Sequence, residues 1–168
     1  MAPAYPKAEL QRIYDQTGIT SYAPNIEVWG EELFRELCPG KHRWIGYQEW
    51  IRRTLDAVEV FGRGKVCTQV VAGVELAAEH GFSDPEEALA SNFQACEFFA
   101  EHGVQFLVTI WRPHRATRLG CRPMAPLDYY VRLAEGVHAI RKAHGLRNTN
   151  DNYKHCGNHP DSDLERLD

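Results

Sequence analysis

"CTQVVAGVE", residues 67–75, is the least polar run of the chain, and it closes on a carboxylate. Extended to residues 65–76 it is continuous and rich in valine, which suits a strand covered on both faces, as strands of parallel sheets are. Parallel neighbours need crossover connections of about a dozen residues or more, and the flanking sequence supplies them. Upstream, residues 47–61 repeat Ile51, Leu55 and Val58 at helical spacing and stop at Gly62. Downstream, residues 83–103 read as a helix. Ser83 or Asp84 caps it, Pro85 suits its first turn, and its early glutamates complement the helix dipole. Leu89, Phe93, Cys96 and Ala100 form its apolar stripe, and Gly103 ends it. "VQFLVTIW", residues 104–111, follows as a second run of strand type.

The pattern continues outward. Residues 6–17 place Leu10, Ile13, Tyr14 and Thr17 on one helical face and stop at Gly18, a good residue for a left-handed cap. "ITSYAPNIEVW", residues 19–29, alternates Ile26 and Val28 with Asn25 and Glu27 and reads as a strand after Pro24. Residues 30–40 form a short helix closed by Pro39 and Gly40. A basic loop, 112–126, leads to a last helix over 127–144, which buries Leu133, Val137 and Ile140 and ends at Gly145. Residues 146–168 are polar and turn-rich, with at most a short strand near 153–156. Alternating helices and strands with long crossovers imply either an open doubly wound sheet or part of a β/α barrel. No glycine-rich phosphate loop follows any strand, which favours the barrel and argues against a nucleotide fold of the Rossmann or P-loop kind. The expected fold is α/β: a partial (β/α) barrel, half a TIM-barrel arc of about three βα units over residues 1–146. A polar tail, 147–168, follows it.

Composition bounds the function. With 168 residues, 43% of them hydrophobic and 25% charged, the chain is expected to be one globular domain. A net charge of -4 argues against nucleic acid, which needs a clustered basic surface. The basic cluster of 112–118 is short and interrupted by Pro113, enough for one anionic group. No apolar stretch approaches the roughly 18–20 residues that cross a bilayer, and the first residues have no secretory signal's apolar core. Cys38, Cys67, Cys96, Cys121 and Cys156 are odd in number and widely spaced, as free thiols of a reducing compartment are. The expectation is a cytoplasmic protein with no membrane partner.

In β/α folds the chemistry sits beyond the C-terminal ends of the strands. There the sequence places Asn25, Glu27 and Trp29 from the first strand, and Gln69, Gly73 and Glu75 from the second. The third contributes Thr109, Trp111, Arg112 and His114. Converging on one rim, they suit a polar ligand with an aromatic or sulfonium part, stacked on or held over the indoles. Each position also has a purely structural reading. Glu27 can be a solvated strand residue, Glu75 can pair with Arg112, and Gly73 can mark close backbone packing. His114 and Arg112 can be plain loop residues, and Trp29 and Trp111 packing residues. "HCGNH" adds His155, Cys156 and His159 within five residues, with Cys121 available as a fourth zinc ligand. That spacing matches no standard zinc pattern, so a structural or substrate-facing loop is favoured over a metal site.

At these strand ends the chain resembles the second half of a radical S-adenosylmethionine (SAM) enzyme barrel, of the biotin synthase-like branch. "NIEVW", "LCPGK", "EWIRRTLDAVEVFG", "VCTQVVAGVE", "EALASNFQACEFFAEHGV" and "PMAPLDYYVRLAEG" carry the likeness over roughly residues 5–145. The resemblance implies that Asn25 and Glu27 line the fourth barrel strand, near the ribose or amino-acid part of S-adenosylmethionine. It implies that Gly73 and Glu75 belong to the fifth-strand motif near the adenine, and that residues 109–114 sit beside adenine and substrate. Gln69, Thr109 and Trp111 complete the implied cofactor wall, with Trp29, Arg112 and His114 toward the substrate.

The C-x3-C-x2-C loop that holds the 4Fe–4S cluster in that family is absent from the sequence, because no cysteine has a neighbour at either spacing. The expectation is therefore an enzyme fragment or split subunit, inactive in cofactor cleavage without a cluster-bearing partner or upstream segment. The alternative is a non-catalytic module that binds a small ligand at the Glu27, Glu75 and Arg112 rim, and a zinc hydrolase built on "HCGNH" is the third reading. A half-barrel leaves strand edges and an inner face to cover, so self-association or a complementary half-barrel is expected.

Overall fold

The computed structural model describes residues 2–147 and Leu164, and the "HCGNH" residues, the expected strand at 153–156 and nearly all of the polar tail lie outside them. Helix α1, Lys7–Thr17, ends on Gly18 in the left-handed conformation, its N–H returning to the Tyr14 carbonyl. Helices α2, Glu31–Leu37, and α3, Pro39–Trp44, follow in close succession. Pro39 does not close the first of them, as the sequence reading had it; it starts the second, where a proline's missing N–H is no loss. Helix α4 runs Tyr47–Phe61. Its buried face is Tyr47, Trp50, Thr54, Ala57 and Phe61, and the expected Ile51, Leu55 and Val58 stripe is only half-buried against it.

Strand β1, Val66–Ala72, is shorter than the expected 65–76. The chain turns at Gly73, at φ 93°, into a single 3-10 turn, Val74–Leu76. Helix α5, Pro85–Glu101, starts as the sequence implies, with the Asp84 carboxylate accepting the Glu86 N–H at 3.0 Å. Strand β2, Val104–Ile110, pairs parallel with β1 in the register Val66 to Val104 through Ala72 to Ile110. Helix α6, Leu127–Ala143, follows the 112–126 loop.

The expected strand over 19–29 forms only two parallel bridges to β1, Tyr22 with Val66 and Glu27 with Val70. The cause is local. Between the bridges this segment advances one residue more than β1 does, a bulge, and Pro24 has no N–H to give a ladder. Thr68 fills the gap: its hydroxyl accepts the Ile26 N–H at 3.0 Å and donates to the Pro24 carbonyl at 3.1 Å. The three parallel segments thus lie in sequence order, with β1 central.

Among the described residues the architecture is mixed α/β, a two-stranded parallel sheet flanked by helices. It is compatible with an arc of a β/α barrel and far short of a closed one. The register puts Val66, Thr68, Val70 and Ala72 on one face with Val104, Phe106 and Val108, all buried. Phe99 of α5 stacks on Phe106 there, and α5 and α6 pack on each other and on β2. The opposite face carries Gln69, Val71 and Thr109, half-buried, toward the strands' C-terminal ends. No helix among the described residues is long and apolar enough to cross a membrane.

Candidate functional site

The C-terminal ends of the three parallel segments open on one cleft of about 530 Å³. Its walls are apolar: Val28, Leu37, Val71, Val74, Trp111 and Leu119. Alternation along β1 and β2 explains two of them, because Val71 and Trp111 fall on the sheet face opposite the helices. The volume lies within the range of roughly 300–1,000 Å³ common for small-molecule sites.

The polar groups come from the strand ends, from α2 and from the 112–119 loop. Glu27 is the one non-glycine residue at positive φ among those described, at 72°. Two backbone bonds fix that strained conformation, Glu27 N–H to the Gln69 carbonyl at 2.8 Å and Val71 N–H to the Glu27 carbonyl at 2.7 Å. The turned backbone delivers its carboxylate to Lys41 of α3, 2.7 Å away. Lys41 also donates to the Asn25 carbonyl at 2.6 Å and lies over the Trp50 ring, 4.6 Å from its centroid.

Across the cleft the Glu36 carboxylate is only 6% exposed. It accepts the N–H groups of Glu79 and His80 at 3.0 and 2.9 Å, meets the His80 ring at 3.1 Å, and pairs with Arg118. Burial pushes its pKa upward, but the two N–H groups, the imidazole and Arg118 together hold it below the ordinary glutamate value. Cys38 also lines the cleft, its thiol pushed up to about 11, chiefly by burial. A thiol raised that far holds its proton at neutral pH.

Of the residues the sequence places at the rim, Glu27, Trp111 and Arg112 line this cleft. Gln69 and Thr109 lie on the same sheet face outside its lining. Asn25 is buried and enters only through its carbonyl. Trp29 packs with Tyr47, Phe98 and Phe99 on the helix side. His114 is exposed, and its ring accepts the Ala116 N–H at 3.3 Å within its own loop.

Glu75 does not meet Arg112. Its carboxylate accepts from the Tyr129 hydroxyl and from the Asn92 amide, the latter at 2.8 Å. Burial drives its pKa up, only partly offset by those bonds and by the N–H groups of Glu75 itself and Gly73. Gly73 has the packing role: a Cβ there would stand 2.4 Å from the Tyr130 hydroxyl.

Glu36, Lys41, Arg118 and Leu119 are functional candidates that a strand-end reading passes over. Lys41 had a visible signal, the lysine of "LCPGK". The others arrive through α2 and an irregular loop, where no periodicity marks direction. Among the described residues no three His, Cys, Asp or Glu side chains come together as metal ligands. No family model, curated protein or solved structure matches the chain.

Proposed function

We propose that this arc supplies the substrate wall and part of the S-adenosylmethionine site of a radical SAM-type barrel, with the cluster held by another segment or a partner chain. One observation carries the reading: three consecutive parallel segments bring Glu27, Val71 and Trp111 to a single cleft at their C-terminal ends. That is where β/α folds keep their ligands.

The side chains fit the cofactor in part. Trp111 and the valines offer an apolar wall for an adenine, and Glu27, paired with Lys41 through Oε1, offers an acceptor to the hydroxyls of a ribose diol. When bound, the cofactor supplies chemistry by cleavage of its sulfonium bond. The residues of this chain bind and orient it, and Val28, Val71 and Val74 exclude water from that side of the cleft. Calorimetric titration of the full chain with S-adenosylmethionine and with S-adenosylhomocysteine tests the reading. Saturable binding that weakens about tenfold or more in Trp111→Ala is expected. Absence of heat with both ligands sinks it.

A second reading, a ligand-binding module without the cofactor, is favoured by Gly73 and Glu75. Both are consumed by contacts with Tyr130, Asn92 and Tyr129 and leave nothing for an adenine. Binding of a small ligand by the iron-free chain, unchanged by any cluster-bearing partner, distinguishes it from the first.

A further inference from the structure

The charges in the cleft are unevenly committed. Glu27 is neutralised by Lys41, and Glu36 by Arg118 with two backbone N–H groups beside it. The Thr117 hydroxyl donates to the His114 carbonyl at 2.7 Å, and the Cys38 thiol is protonated. Arg112 remains: it lines the cleft next to Trp111, is exposed at the mouth, and makes no ion pair with any described residue. Among the described residues the site therefore presents apolar walls, two balanced ion pairs and one guanidinium without an ion pair.

We propose that the cleft selects a ligand with an apolar or aromatic body and a single oxyanion, the body against Val71, Val74 and Trp111 and the anion on Arg112. A guanidinium is planar, permanently charged and forked, so it recognises carboxylate or phosphate through two parallel N–H bonds. A neutral ligand leaves that fork unused. A cationic one meets Arg112 with no free carboxylate to compensate, because Glu27 and Glu36 already hold their partners. The inference rests on the cleft being the binding site and names its ligand class. It does not require that the cofactor bind there.

The test uses four probes sharing one phenylpropyl body, titrated into the uniformly 15N-labelled full chain: 3-phenylpropionate, 3-phenylpropyl phosphate, 3-phenylpropan-1-ol and 3-phenylpropylamine. The readout is the Trp111 indole N–H resonance, assigned from the spectrum of Trp111→Phe. Both anions are expected to bind about tenfold or more tightly than the alcohol, and the amine more weakly still. Arg112→Gln brings the anions to the level of the alcohol and leaves the alcohol unchanged, whereas Arg115→Gln, on the same loop but outside the cleft lining, retains the preference. The order of carboxylate and phosphate in the wild-type chain identifies which oxyanion the fork fits better.

The proposal is overturned if none of the probes moves the Trp111 resonance, if alcohol and anions bind alike, or if the preference survives Arg112→Gln. Arg112 is exposed, so Arg112→Gln is expected to keep the wild-type spectrum elsewhere. Failure here is separable from failure of the cofactor reading. Anion selectivity with no S-adenosylmethionine binding leaves only this inference standing, and the reverse pattern leaves only the other.

Discussion

The Glu75 carboxylate sits in a small polar nest made by Asn92 and Tyr129, with no cation beside it among the described residues. In the unfolded chain a glutamate titrates near about 4.3. Burial raises Glu75 above that in the fold, so the folded chain holds a proton that the unfolded chain has released. Its contribution to stability is complete below about pH 4.3 and is lost as the pH climbs through the raised value. Glu49, held down at about 2 by Arg52 and Arg53, and Glu36 work in the opposite sense at lower pH. They cancel when the wild type is compared with Glu75→Gln. Urea denaturation of both from about pH 4.5 upward is therefore expected to show the difference moving in favour of Glu75→Gln and levelling off once the raised value is passed. A difference that does not vary with pH contradicts the raised value.

Gly73 gives a second outcome at the same scale. Glycine is required twice there, by φ 93° and by the Tyr130 hydroxyl. Gly73→Ala is expected to cost about 1–3 kcal/mol. Tyr130→Phe in the same chain should recover part of the loss, since it removes the nearest atom. A Gly73→Ala chain as stable as the wild type would exclude this packing role.

At the scale of elements, legibility followed the strength of local signals. Helix α5 was readable at its start because Asp84 and Pro85 fix that end independently of tertiary contacts. Helix α4 was readable in extent, but its buried face was misjudged. Trp50 and Phe61, with Thr54, which bonds its own helix at the Trp50 carbonyl, fill the interior better than a purely aliphatic stripe. The segment before α2 looked like a strand because Ile26 and Val28 alternate with polar neighbours. Alternation does not report a bulge, a missing N–H at Pro24 or a left-handed Glu27. The candidate site divides the same way: Glu27, Trp111 and Arg112 follow from strand ends, whereas Glu36 and Arg118 depend on how α2 and a loop fold back.

The side chain that makes the bulge workable is Thr68, fully buried and bonded on both sides. Thr68→Val keeps the shape, strands the Ile26 N–H and leaves the Pro24 carbonyl with the Trp50 indole N–H, at 3.2 Å, as its remaining donor. A loss of about 1–3 kcal/mol is expected, with faster hydrogen exchange at the Ile26 amide and little change at the β1–β2 ladder. Equal acceleration along β2 would mean that the segment and the sheet unfold as one unit.

For the whole molecule, the question is what the two-stranded parallel sheet of the described residues, with its one bridged neighbour, does with its apolar exterior. Such a sheet does not close on itself, and small sheets draw much of their stability from what packs on them. On α6, Leu127 is 78% exposed and Val131, one turn on, 46%. Met124, just before the helix, is 44% exposed. Residues four apart form one stripe, and burying a leucine fully is worth about 1.5–3 kcal/mol. A second copy, or a complementary arc, gains this burial with no rearrangement of the fold, which is the basis for expecting self-association. Light scattering after size exclusion should give a mass above that of one chain. Leu127→Glu with Val131→Glu should shift the species toward the monomer, by more than tenfold in the association constant, with unchanged far-ultraviolet circular dichroism. A monodisperse wild-type monomer at high micromolar concentration would remove the argument from α6. The same double substitution leaves the cleft lining untouched, so ligand binding measured beside it reports whether the site works within one chain.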